Sequence, residues 1–266
     1  MRKLVCSKPK IEDRRCCRGE SKYNFEFFGK WSPLTHPRYY PTHSTHWSNV
    51  IGASHSGDYS LYRIGEVASG GIRKMAEEGY IGIIERNLKL SESVSYILKT
   101  RAQWPAHVDN GSPLDGKVYF NPTKSLFSFT TMIGPSPDWF IGIDSLEMCN
   151  TTTCEWIPYY SEELYPLDAG TDDGISYLSQ NKPLGKPRSI QPIRATNSTQ
   201  SPFYEGINSF GYFNLKLIST KNETGNEKVN CIYNDWADWS GCSQTCGWGI
   251  RERARMSLSM LTGNRM

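Results

Sequence analysis

Residues 125–148, "SLFSFTTMIGPSPDWFIGIDSLEM", are the stretch on which the fold turns. "SLFSFTTMIG" and "WFIGIDSLEM" are two β-rich runs, and "PSPDW" joins them through a tight proline-containing turn that ends in Asp138. Upstream, "YNFEFFGKW" alternates Tyr23, Phe25 and Phe27 with Asn24 and Glu26, the period of a strand with one buried face. Downstream, "GISYLS" at 174–179 and "GYFNLKLIST" at 211–220 are further strand candidates, separated by a proline-rich stretch. The segment "HPRYYPTHSTHWSNVIGASHSGDYSLY" is rich in Pro, His, Ser and Gly and reads as ordered loop. "GEVASGGIRKMAEEG" carries Val67, Ile72 and Met75 at helical spacing, and "IERNLKLSESVSYILKTRAQWP" follows with Ile84, Leu88, Val94, Ile97 and Leu98. These predict one or two helices, interrupted at Gly79 and stopped before Pro105. Short strands, turn signals and a helical insertion together predict an all-β fold, an antiparallel β-sandwich with helical insertions, rather than a parallel α/β fold.

Composition narrows the function classes. A chain of 266 residues with 38% hydrophobic content can bury a substantial core. Its 30 basic and 27 acidic side chains leave a net charge of +3, so no broad basic field points to nucleic acid. No apolar run approaches a membrane span, and "MRKLVCSKPKIEDRRCC" lacks an apolar export core, so the expectation is an incomplete N-terminus. The cysteines fall in three groups: Cys6, Cys16 and Cys17; Cys149 and Cys154; Cys231, Cys242 and Cys246. None forms a Cys-x2-Cys zinc pair, and with so many aromatic residues the grouping points to an oxidising compartment. Sequons at Asn110, Asn150, Asn197 and Asn222 agree with an extracellular destination.

"YPLDAGTDDG" at 165–174 crowds Asp168, Asp172 and Asp173 into one glycine-rich turn. The EF-hand pattern fails, because Gly170 takes its third position and Ser179 stands where the terminal glutamate belongs. Two readings remain open from the residues. Aspartates in such turns accept backbone hydrogen bonds, or carboxylates from separate loops, Asp138 among them, gather around a hard cation.

Four blocks, "YNFEFFGKWSPLTHPRYYP", "HWSNVIGASHSGDYSLYRIGEVASGGIRKMAEEG", "MIGPSPDWFIGIDSLEMC" and "LYPLDAGTDDGISY", resemble the spondin domain of the F-spondin and mindin family over about residues 20 to 219. The resemblance implies a secreted matrix and adhesion protein whose antiparallel sandwich holds Ca2+ at one end. Asp138, Asp168 and Asp172 match the family's metal carboxylates. Some members add a glutamate where this chain has Tyr119 and Phe120, with Asp115 the nearest upstream acid, which leaves the fourth ligand unassigned. By the same analogy Cys16 or Cys17 bridges to Cys149 or Cys154.

A polar linker at 220–230 precedes "CIYNDWADWSGCSQTCGWGIRERARM", which resembles the opening of a thrombospondin type 1 repeat. Residues 231–266 form this part, and residues 1–19 an N-terminal tail. Tyr233, Trp236 and Trp239 recur every three residues, and Arg251, Arg253 and Arg255 alternate, as a ladder of guanidinium groups between indoles requires. The resemblance marks Trp236 for C-mannosylation and Thr245 for O-fucose. No cysteine follows Cys246, so the expectation is a truncated thin repeat lacking its disulfide partners.

The sequence carries no nucleophile elbow and no phosphate-binding glycine loop. The best catalytic alternative is a zinc-dependent hydrolase on His43, His46 and His55, although no helical His-Glu-x2-His supports it. The leading expectation is not an enzyme but a calcium-binding adhesion module. Its expected partners are cell-surface receptors of the integrin type, matrix components and sulfated glycosaminoglycans, in cell attachment or axon guidance. A second binding alternative is a calcium-dependent lipid site with Trp139 and Phe140 as its apolar tips.

Overall fold

A computed structural model describes residues 16–107, 112–204, 206–221, 237–244, 251 and 253. The chain divides into two units, one of them Arg14–Glu223 and the other containing Thr224–Met266. In chain order the elements are β1 (Glu20–Gly29), β2 (His46–Trp47), β3 (Ile51–His55), α1 (Gly70–Glu78), α2 (Gly82–Leu90), β4 (Val94–Lys99), β5 (Leu114–Phe120), β6 (Leu126–Gly134), β7 (Trp139–Glu147), β8 (Cys149–Asn150), β9 (Glu155–Trp156), β10 (Tyr159–Leu164), β11 (Leu167–Asp168), β12 (Gln191–Pro192) and β13 (Gly211–Lys221).

One sheet has the order β10-β13-β1-β5, and the other runs β12-β11-β7-β6-β3-β4 with β2 attached to β6. The named strand pairs are antiparallel, as the sequence predicts. Tyr23, Phe25 and Phe27 all point inward from β1. The Phe25 and Phe213 rings lie 5.0 and 4.9 Å from the ring of Phe129, whose strand β6 belongs to the other sheet. Edge-to-face aromatic contacts of this kind add to the burial of the rings themselves.

The second sheet is covered on its other face by the helices. Ile72, Met75, Ala76, Ile84 and Leu88 pack with Ile51, Ala53, Met132 and Phe140. Ser69 opens α1 by accepting the Ile72 amide on its hydroxyl, and Gly79 closes it at φ 68°. A sheet buried on both faces loses the alternation that reveals a half-buried strand.

Three expectations are corrected by this arrangement. The segment read as loop contains β3, whose five residues are all buried between β4 and β6. A Cβ on Gly52 would stand 2.5 Å from the Ser128 carbonyl oxygen, so the glycine that suggested a loop permits a close backbone approach. The second helical stretch ends at Leu90, and its remainder contains β4 and no helix. Ile97 packs toward the helix side while its neighbour Leu98 enters the inter-sheet core, which adjacent residues achieve on a strand and not on one helix face. Residues 174–179 are a turn rather than a strand: Ser179 Oγ accepts the amides of Ile175 and Ser176 at 3.1 and 3.0 Å. Tyr177 alone is buried there, against Trp31 and Trp139, and its exposed neighbours imitate alternation.

Candidate metal centre at the acidic rim

Asp138 closes the turn between β6 and β7, where Ser136 Oγ accepts the Trp139 amide at 3.0 Å. Its side chain is fully buried. Oδ2 accepts hydrogen bonds from the Thr171 amide at 2.7 Å, the Thr171 hydroxyl at 3.1 Å and the Asp172 amide at 3.1 Å. Oδ1 is buried and has no hydrogen-bond partner. Burial, with Asp168 adding its negative charge, pushes the Asp138 carboxyl up to about 6 despite the donors on Oδ2.

Asp168 sits on β11, opposite Trp139 of β7, so the sheet itself brings it beside Asp138. Its Oδ1 accepts the Gly170 amide at 2.7 Å. Burial raises its carboxyl above the usual range, with the charges of Asp172 and Asp173 acting in the same direction. Asp172 is buried too, with Oδ1 on the Gly174 amide at 2.7 Å and Oδ2 on the Lys182 amide at 2.6 Å. Gly170, at φ 73°, lets the chain turn against the returning segment, where a Cβ would meet the Arg188 carbonyl oxygen at 2.5 Å. Asp173 is exposed and pairs with Arg188 at 3.2 Å.

The turn that carries Asp138 and the segment that carries Asp168 and Asp172 thus lie against each other. Both open readings have a physical basis in this geometry. Backbone amides occupy Asp172 and one oxygen of Asp138, as turn aspartates would have it. Asp138 Oδ1 is left over, a buried carboxylate oxygen whose desolvation nothing offsets. Among the described residues no three His, Cys, Asp or Glu side chains are grouped as a metal ion would need. The donor atoms of the three acids are hard oxygens, the type that calcium takes and a soft metal does not.

Sequence reasoning missed Thr171 and the Lys182 amide. A threonine between glycine and aspartate gives no signal until residues 170–184 are seen to fold back, with the Leu184 amide on the Thr171 carbonyl at 2.9 Å. Tyr119 and Asp115 lie on β5 of the opposite sheet, and Phe120 is core.

The zinc alternative is corrected. His43 is exposed, His46 stacks on Trp104 at 3.8 Å, and His55 is fully buried. The ring of His55 is held by the Ser56 carbonyl at 2.8 Å and Ser128 Oγ at 2.7 Å, which uses both nitrogens. Trp139 and Phe140 are buried as well, so they are core residues and not membrane-facing tips.

The cysteines pair as Cys16–Cys154 and Cys17–Cys149. Asn150 and Asn197 are exposed, and Asn150 Oδ1 accepts the Thr152 amide at 2.9 Å. In the tail the Arg253 guanidinium lies 4.7 Å from the Trp239 ring centroid, Arg251 is exposed, and Cys242 is a free, exposed thiol. Asn110, Asn222, Trp236, Thr245 and Arg255 lie outside the described residues.

The Spondin_N family model matches residues 21–209, which includes every acid of the rim. The chain belongs to the spondin N-terminal domain family. A thrombospondin type 1 domain model matches residues 234–265. Spondin-1 of Mus musculus is 36% identical over 276 residues, covering 92% of this chain and 34% of the relative. Spondin-1 of Homo sapiens is 36% identical over 288 residues, covering 97% of this chain and 35% of the relative. Spondin-2 of Homo sapiens is 29% identical over 273 residues, covering 90% of this chain and 80% of the relative. The spondin chain therefore spans about a third of the length of its Spondin-1 relatives. It is an extracellular matrix protein, and its two disulfides suit the oxidising environment outside the cell. Among the described residues no helix is long and apolar enough to cross a membrane.

Proposed function

We propose that this chain is a calcium-stabilised, non-enzymatic adhesion module, acting in cell attachment or guidance through receptors of the integrin type and matrix components. The orphaned Oδ1 of Asp138 carries the calcium part of the reading. Asp138, Asp168 and Asp172 would hold the ion, and calcium bound among them would supply positive charge where three carboxylates repel one another. The chain's own contribution is positional: the amides of Thr171 and Asp172 orient Asp138, and the pairing of β11 with β7 fixes Asp168. The arginines Arg251, Arg253 and Arg255 of the tail supply cations for sulfate groups.

The test is a thermal melt of the whole chain in millimolar calcium and in chelator. A ligand that binds only the folded state raises the midpoint, so calcium gives an upward shift that Asp138→Asn abolishes. An unchanged midpoint leaves these acids as hydrogen-bond acceptors and removes the ion from the reading. Attachment of cells to the immobilised chain tests adhesion, and loss of attachment to Asp138→Asn but not to a folded surface variant ties it to the rim.

A further inference from the structure

The outer face of the four-stranded sheet sorts its charges by row. Lys22, Asn24 and Glu26 face outward from β1, between buried neighbours. Lys22 stands opposite Tyr119 of β5. Asn24 stands between Lys117 of β5 and Lys216 of β13, and Lys216 is opposite Tyr159 of β10. The carboxylates of Glu26 and Asp115 stand in the next row on one side, and that of Glu20 beyond Lys22 on the other. Two adjacent rows therefore hold three lysines and no acid. With strands about 4.8 Å apart, Lys117 and Lys216 are anchored about 10 Å from each other across β1.

These lysines differ from four others of the surface, and in this they match Lys124, Lys182 and Lys186. Lys30, Lys74, Lys89 and Lys99 each pair with a glutamate. Among the described residues, Lys22, Lys117 and Lys216 have no carboxylate within ion-pair distance. Lys117 Nζ instead donates to Asn24 Oδ1 at 2.6 Å, and Lys22 Nζ lies 5.5 Å from the Tyr119 ring centroid. The two tyrosines beside them are 36% and 56% exposed and bring aromatic surface to the same rows.

We infer that this end of the sheet binds a sulfated polysaccharide, with sulfates on Lys22, Lys117 and Lys216 and sugar rings against Tyr119 and Tyr159. Its cations are spaced along hydrogen-bonded rows, and an extended anionic chain can lie across them. A bilayer would call for projecting apolar loop tips, and a nucleic-acid duplex for a broader basic field than a net charge of +3 provides. The site shares no residue with the acidic rim and stands whether or not a cation binds there.

The experiment measures affinity of the whole chain for a size-defined heparin oligosaccharide at several salt concentrations. It is run in an R251Q/R253Q/R255Q background, which removes the tail arginines, and in chelator. Adding K22Q/K117Q/K216Q weakens binding by about tenfold or more and flattens its salt dependence, because three screened ion contacts are lost. Y119A/Y159A weakens binding while keeping the salt dependence. Equal binding by the lysine variant, with a melt that shows it folded, overturns the proposal. Equal or tighter binding of a DNA duplex, of anionic lipid vesicles or of the desulfated oligosaccharide overturns it too.

Discussion

His36 is buried, and its ring packs 4.2 Å from that of Phe210. Burial pulls its pKa from 6.5 down to about 4, against the opposing effect of a hydrogen bond to Asn208. The unfolded chain therefore binds this proton more tightly than the folded one. The stability that the neutral ring contributes is present above pH 6.5 and is lost as the pH falls toward 4, on the order of 3 kcal/mol in all. His46 and His55 are lowered by burial too and act with the same sign. Denaturant melts between pH 7 and pH 4 should show falling stability with a gentler slope in His36→Gln; an identical slope would show that the folded ring takes up its proton as readily as the unfolded one. At this scale the candidate rim was readable in part. Three aspartates in a turn and one after Pro-Ser-Pro are visible as letters. The neglected oxygen of Asp138 is not, because its isolation depends on how many amides residues 171 and 172 deliver.

Elements that alternate were legible and elements buried on both faces were not. β1 and β13 have one wet face, and their pattern shows in the sequence. β3 lies under the helices on one side and under the aromatic core on the other, so it is composed of small and polar residues that look like loop. Gly52 makes the point testable. Alanine there places its Cβ 2.5 Å from the Ser128 carbonyl and 2.6 Å from Phe129 Cβ, and the backbone of β6 has no room to withdraw. Gly52→Ala should cost about 2 kcal/mol or more by urea denaturation. A wild-type midpoint would mean that the two strands separate more readily than their packing implies. Ser69→Ala, which removes only the hydroxyl capping α1, should cost about 1 kcal/mol in the same assay.

For the whole molecule, the two disulfides tie Cys16 and Cys17, beside β1, to Cys149 of β8 and Cys154, more than 130 residues away. Cys16 and Cys17 are neighbours, so either bridge closes nearly the same long loop, worth about 5 kcal/mol in the loop-entropy account. Once one has formed, the other closes a ring of only about eight residues and adds about 2 kcal/mol. Replacing Cys17 and Cys149 by serine, or Cys16 and Cys154, should therefore lower stability by about 2 kcal/mol, and replacing all four by about 7. A four-serine variant whose loss equals the sum of the two pairwise losses would show that the bridges act independently.

By itself the sequence determined the class of fold and the strands that alternate, each written locally as a period or a turn, while the three candidate acids and the set of cysteines that bridge came from the resemblance to a family. The tertiary structure decided which strands are covered on both faces, which cysteine takes which partner, and that one oxygen of Asp138 goes unmet. It also decided that Lys22, Lys117 and Lys216, scattered across nearly 200 residues, share one end of a sheet. Register between distant strands creates those juxtapositions, and register is set by packing across the whole sandwich rather than by any window along the chain.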